Sequence, residues 1–228
     1  MDIGSIDWLP IALSLQLAAV TCGLLLVVGL PLSYWLALGQ SRWRRIVEVI
    51  VALPLVLPPT VLGFYLLLAL SPQRGLGAWL QDIFDLRLVF SFEGLVLGSM
   101  IYSLPFMVQP LQAGLRALPS GLRDASRLLG KSDWTTFWRV LLPNIRPALW
   151  TGIGLSFAHT IGEFGVVLMI GGSLSGETRV ASIAIYEAVE RLDYASAHTY
   201  ALVLLGISFV LLLLVYGRQG THKTYPSL

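Results

Sequence analysis

Long apolar runs separated by short polar clusters set the rhythm of this chain. Five runs are long enough to be read as membrane spans: residues 10–38, 46–70, 94–113, 147–171 and 199–216. A helix needs roughly 20 apolar residues to cross a hydrocarbon core of about 30 Å. Inside these runs the only charged residues are Glu48, near the start of the second, and Glu163, in the fourth. The first run is too long for the apolar core of a cleavable leader and no basic segment precedes it, so a retained helix is expected. Residues 79–92 and 177–197 mix apolar with charged positions and read as short interfacial helices. A further span there would carry Glu187, Glu190, Arg191 and Asp193 into hydrocarbon, which is unfavourable. Prolines interrupt the runs at Pro31, Pro54, Pro58, Pro59, Pro105 and Pro110. Either these are kinked packing helices, or the bundle lines a route and hinges at the breaks.

Composition narrows the class. Of 228 residues, 56% are hydrophobic and 12% charged, against about 45–50% and 25% in soluble domains. A soluble enzyme and a disordered chain are both excluded. The single cysteine, Cys22, excludes a disulfide framework and a thiolate metal cluster, and its apolar surroundings make it a packing residue. His159, His198 and His222 are too scattered for a metal site, and the last two read as solvated loop residues.

The net charge of +2 conceals a strong polarity. One set of connections holds Arg42, Arg44, Arg45, Arg116, Arg123, Arg127, Lys131, Arg139, Arg146, Arg218 and Lys223, with three acids. The other holds Arg74, Arg87, Arg179 and Arg191, with nine acids. Cations accumulate on the cytoplasmic side, so the N-terminus is expected outside, the C-terminus inside and the number of spans odd. Trp8, Trp43 and Trp79 lie near span ends, as interfacial anchors do.

The longest cytoplasmic connection, residues 114–146, reads GLRALPSGLRDASRLLGKSDWTTFWRVLLPNIR. A short helix is expected after Pro119 and Ser120, stopping at Gly130. Ser132 or Asp133 can cap a second helix, which Pro143 is expected to end. Trp134, Phe137, Trp138, Leu141 and Leu142 recur at helical spacing and form one apolar face. That face suits the bilayer surface, the protein's own bundle, or a groove in a partner.

Asp124-Ala125-Ser126, three residues, Gly130, nine residues, then Val140-x-Leu142-Pro143 resembles the E-A-A-x(3)-G-x(9)-I-x-L-P signature of ABC importer permeases. Asp, Ser and Val replace Glu, Ala and Ile, while Gly, Leu and Pro fall in register. The resemblance implies a coupling loop, with Asp124, Ala125, Ser126, Gly130, Lys131, Trp134, Phe137, Trp138, Leu142 and Pro143, that docks on a cytoplasmic ATPase. Ala125-x(4)-Gly130-Lys131-Ser132 also satisfies a loose phosphate-loop pattern, but no apolar strand precedes it and none ending in an acidic residue follows. Leu174-Ser175-Gly176 matches only the start of the ATPase signature. This chain is therefore expected to bind no cofactor and hydrolyse nothing. ATP and Mg belong to its partner.

Nearly end to end, the chain resembles the permease of molybdate importers within the molybdate, tungstate and sulfate group. The matching runs are Leu53-Pro-Leu-Val-Leu-Pro-Pro-Thr-Val-Leu-Gly63, Gly162-Glu-Phe-Gly165 and Gly176-Glu-Thr-Arg179. The family pattern A-R-x-L-G-E-F-G carries Arg where this chain has His159. The resemblance implies an all-α, type I permease fold as one domain over residues 1–228 in the bacterial inner membrane. It also implies two copies around a central route, an ATPase dimer beneath, an extracytoplasmic oxyanion-binding protein and no nucleic acid. Sulfate and thiosulfate permeases are the alternative within the group, and the five-span length favours molybdate or tungstate.

The spans contain no Lys or Arg, so no fixed cation can hold a dianion at membrane depth, and affinity should reside in the delivery protein. Pathway or gate residues are expected at the broken helices: Pro54, Pro58, Pro59, Thr60, His159, Gly162, Glu163 and Gly165. Glu163 follows His159 by four residues, on one helical face with Ser156, a spacing that allows a hydrogen-bonded pair. It either fastens its helix through backbone or hydroxyl donors or braces a gate. An ion-coupled secondary transporter would need a second membrane carboxylate or an internal repeat, and an intramembrane protease a nucleophile or H-E-x-x-H motif. The sequence has neither.

Overall fold

In the computed structural model, which describes residues 7–73 and 75–219, every described element is helical. Asp2, Arg74, His222 and Lys223 lie outside the described residues, as does the side chain of Arg218. Three helices are long and apolar enough to cross a membrane alone: α1 (Leu9–Leu38), α5 (Phe92–Ala117) and α12 (Tyr194–Gln219). Among the described residues, two bent pairs of helices reach the same length and apolarity only when each pair is taken together. α2 (Arg44–Ala52), with a 3-10 turn at Leu53–Leu55, turns through 113° into α3 (Pro59–Leu70). α9 (Arg146–Gly162) turns through 58° into α10 (Gly165–Gly171). The expected second and fourth spans are thus each two half-helices rather than one rod. Pro58 and Pro59 cause the first break, since proline excludes the preceding residue from helical geometry and donates no N–H. Pro31, Pro105 and Pro110 lie inside unbroken helices.

α1 and α5 run side by side in the same direction. Leu13 and Leu17 meet Leu95 and Val96 in the cluster that also holds Val167, Val180 and Ile183. Further along, Cys22 and Leu25 join Met107, Leu111 and Leu115 with Phe137, Leu141 and Ile145. α5 starts on a cap in which Ser91 Oγ accepts the Gly94 N–H at 3.1 Å.

α4 (Gly75–Phe84) begins before the expected 79–92 helix and ends well short of it, with non-helical chain from Asp85 to α5, and it leaves Trp79 52% exposed. The second expected interfacial helix is different. α11 (Ala181–Glu190) buries Ala181, Ile183, Ala184 and Ala188, with Ala181 and Ala184 packed against Ile11 and Tyr200. Its small residues let it settle into the bundle. An ion-pair group holds it there: Arg179 bonds Glu187 at 2.8 Å and Asp7 at 3.5 Å, and Ser173 donates to Glu187. Partial burial pushes the Glu187 carboxyl up, but the bonds from Ser173 and Arg179 and the nearby guanidinium charges outweigh it and hold it below its ordinary value.

α12 begins five residues earlier than the apolar run implied, because Asp193 accepts the Ser196 N–H and starts the helix. Only 6% of its most apolar stretch is buried. Its remaining surface therefore requires lipid or another protein.

Candidate functional site

The 114–146 connection folds as a helical hairpin. α6 (Ser120–Leu128) ends in a Schellman turn: Lys131 N–H bonds the Ser126 carbonyl, and Gly130 N–H bonds that of Arg127. Gly130 sits at φ +70°, where only glycine is free of steric cost, so the expected stop is observed. Ser132 then caps the second arm, accepting the Thr135 N–H at 3.2 Å. The arms are joined by a buried Ser126–Thr136 hydroxyl bond of 2.7 Å and a two-pronged Arg127–Asp133 ion pair.

Pro143 does not end this second arm. Helix runs through α7 (Asp133–Thr136), a wider π turn (Phe137–Leu141) and α8 (Leu142–Asn144). In the π turn the Leu142 N–H reaches Phe137 O, so the ladder shifts by one residue before the proline that lacks a donor. Asn144 Nδ2 donates to the Val140 carbonyl at 2.7 Å. Ile145 alone then separates the hairpin from α9.

The apolar face of the second arm divides. Phe137 and Leu141 are buried in the bundle, with Phe137 edge-on to Tyr34 at 5.2 Å. Trp134 and Trp138 flank an apolar groove of about 530 Å³ that α1 completes with Leu26, Val27, Leu30, Pro31 and Tyr34. The most exposed apolar residues of the hairpin are Leu128 and Leu129, at 89% and 76%, beside Gly130. They were absent from the expected site. Two leucines running into Gly-Lys signal a projecting tip only when the turn at Gly130 is known. Asp124, Ala125 and Lys131 are exposed, Leu142 and Pro143 half-buried, and Ser126 is enclosed between the arms.

At the far end of α9 the two helix breaks come together. Pro59 and Thr60 from one, and Gly162, Glu163, Phe164 and Gly165 from the other, line a cavity of about 480 Å³ with Tyr102, Ala158 and His159. Contact here is close enough to demand glycine, because a Cβ on Gly165 would lie 2.6 Å from Cβ of Pro59. Of the expected pathway residues, Pro59, Thr60, His159, Gly162, Glu163 and Gly165 meet at the cavity. Pro54 is buried in the 3-10 turn and Pro58 is the residue that precedes α3; neither lines the cavity.

Glu163 and His159 do not pair. Glu163 caps the second half-helix: Val166 N–H donates to Oε1 at 2.6 Å and Val167 N–H to Oε2 at 3.2 Å. The break after Gly162 exposes these amides, and a carboxylate is the natural partner for a helix N-terminus. Ser182 of α11 also donates to the Glu163 carbonyl. His159 instead stacks on Phe106 at 4.0 Å, and its Nδ1 lies 2.9 Å from Ser103 Oγ on α5.

For an uncharged His159 ring, the hydroxyl hydrogen bonds select one tautomer. Thr160 donates its one proton to the Ser156 carbonyl, so Ser103 must donate to Thr160, and His159 Nδ1–H must donate to Ser103. Nε2 is then a bare acceptor. Neither Glu163 nor neutral His159 offers an incoming anion a hydrogen-bond donor.

Comparison with known proteins agrees with this architecture. The family model for "Binding-protein-dependent transport system inner membrane component" matches residues 29–219. The Molybdenum transport system permease protein ModB of Azotobacter vinelandii is 45% identical over 219 residues, covering 96% of this chain and 97% of that protein. A probable sulfate transport system permease protein of Nephroselmis olivacea is 32% identical over 226 residues, 97% of this chain and 79% of that one. In the solved inward-facing MetNI methionine ABC transporter, one chain superposes with a TM-score of 0.72 at 17% identity, over 96% of this chain and 98% of that one. The last likeness is one of fold.

Proposed function

Since this chain belongs to the family of binding-protein-dependent transport inner membrane components and is the permease subunit of an ABC importer, we propose that two copies form the route by which molybdate or tungstate enters a bacterial cell. The hairpin faces the cytoplasm, and its tip, Leu128-Leu129-Gly130, seats in a cytoplasmic ATPase dimer that supplies ATP and Mg chemistry. An extracytoplasmic oxyanion-binding protein delivers the cargo to the opposite face.

One observation carries this reading. The hairpin is joined through Ile145 alone to α9, and the other end of α9 lines the broken-helix cavity. Seventeen helical residues span about 25 Å. A displacement of the tip is thus passed to the cavity through one stiff element. When ATP closes the partner dimer, the two hairpins approach, α9 swings, and the cavities open outward. Hydrolysis resets them.

The cavity chemistry suits passage rather than capture. Glu163 is occupied by its own helix and no Lys or Arg lines the cavity, so a dianion meets at most the uncharged hydroxyls of Thr60 and Tyr102, and affinity rests with the delivery protein. Likeness to the Azotobacter molybdenum permease over nearly its whole length supports molybdate. The sulfate permease likeness at 32% keeps sulfate as the second reading. The test is ATP hydrolysis by the permease assembled with its ATPase and binding protein. Molybdate or tungstate should stimulate it. Stimulation by sulfate alone would overturn the substrate and leave the family intact.

A further inference from the structure

One face of α2 is not covered by the rest of the described chain. Toward the bundle, Val51 is buried beside Leu36 and Val108, and Glu48 accepts from Gln112 at 3.1 Å and Arg116 at 3.2 Å. The one acid of α2 is therefore turned inward and paired. On the outward stripe Ile46, Val49, Ile50 and Leu53 are about half exposed or more. At its N-terminal end Arg42, Trp43 and Arg45 are exposed, while Arg44 is drawn back onto the Gly39 carbonyl at 2.9 Å. Glu48 lies level with the last turn of α5, at Arg116, and Val51 level with Val108. α2 thus climbs obliquely from the hairpin end of the bundle, cations first and apolar stripe after.

We propose that this face binds an anionic phospholipid of the cytoplasmic leaflet, its headgroup on Arg42 and Arg45 and an acyl chain along Ile46, Val49, Ile50 and Leu53. The proposal rests on the reading that the hairpin end is cytoplasmic. Charge selects the occupant. A second copy docked two-fold on the same stripe would bring identical arginines together with no acid to separate them. Water suits the arginines and not the stripe. A phospholipid satisfies both, since guanidinium matches phosphate geometry and the apolar stripe matches the chain. Because α2 feeds directly into the Pro54–Pro59 break, a lipid held there sets the angle at which α2 enters the cavity wall.

The test uses the complete permease–ATPase complex in nanodiscs and reads Trp43 emission as the difference between wild type and Trp43→Phe. Brominated phosphatidylglycerol should quench Trp43 with an apparent affinity roughly five-fold or more above that of brominated phosphatidylcholine. Arg42→Gln with Arg45→Gln should equalise the two lipids while the complex still co-purifies and quenching persists. Equal quenching in wild type overturns the proposal, leaving a helix that faces lipid without choosing it. Absence of quenching also overturns it, and disulfide formation by Ile50→Cys would then identify a second copy as the cover. Labelling of Arg42→Cys by an impermeant maleimide only from the extracytoplasmic side would overturn the orientation, and with it this proposal. Oxyanion-stimulated hydrolysis would still judge the substrate.

Discussion

The hairpin and the cavity are built by opposite means. Arg127 with Asp133, and Ser126 with Thr136, are 6 and 10 residues apart. Ser103 with His159 are 56 apart, and the Pro59–Gly165 contact joins different spans. The hairpin's two arms are fastened to each other by local contacts, and Phe137 and Leu141 of the second arm fasten it to the bundle. The cavity has no scaffold except the positions of α3, α5, α9 and α10, so it changes shape whenever those helices move. That difference suits a signal that must arrive intact and a passage that must open and close.

The largest expected effect tests whether the hairpin is a rigid body. Gly130 has open space around its Cα, so a substitution there meets only backbone strain. Left-handed geometry costs about 1–2 kcal/mol for an ordinary residue, and a β-branched one fits it worst. Gly130→Val should lower transport and ATPase association roughly ten-fold or more while membrane insertion stays normal. Gly130→Asn should keep most of both. Wild-type transport by purified Gly130→Val complex would remove the hairpin from coupling.

The cavity half of the comparison is tested by one added methyl at two nearby glycines. Gly165→Ala must push α3 off α10, an overpacking expected to cost about 1–3 kcal/mol. Gly162→Ala meets nothing within 4 Å and should be close to neutral. Thermal unfolding in detergent and transport rate should rank the two alike. Equal behaviour would mean that the α3–α10 contact does not constrain the cavity.

Removal of the carboxylate in Glu163→Ala frees the Val166 and Val167 amides and should cost about 1–2 kcal/mol, with Glu163→Gln milder because one acceptor remains. If Glu163 served only the passing anion, stability would not change and only transport would. Smallest of all, a Ser126→Ala, Thr136→Ala double-mutant cycle should return a coupling near 1 kcal/mol. A value near zero would mean that the ion pair alone joins the arms.

The same contrast explains what the sequence disclosed. Three of the five apolar runs are unbroken helices long enough to span, and the other two are bent pairs, because hydrophobic length is a local property and the breaks are not. The stop at Gly130 and the cap at Ser132 were legible because turn chemistry depends on a few neighbours. Pro143 misled, since its missing N–H was absorbed by a π turn that no local rule predicts. His159 and Glu163 share a helical face by spacing, but the chain breaks between Gly162 and Phe164, and Glu163 turns to the amides that the break exposes. The packed state of α11 depends on Ile11 and Tyr200, distant in sequence, and charge alone had placed it at an interface. Leu128 and Leu129 look like ordinary helix residues until the hairpin leaves them without neighbours.

Ile145 has a consequence for how such a chain can vary over descent. A helix advances by about 100° per residue. Insertion or loss of one residue at this joint would turn the tip to another side of the bundle and pull Phe137 and Leu141 out of their packing. Apolar replacements of similar volume around the joint can accumulate, but changes of length there should be purged. The two halves are inherited as a pair in fixed phase, and a hairpin borrowed from another permease will serve only if it arrives with the same count.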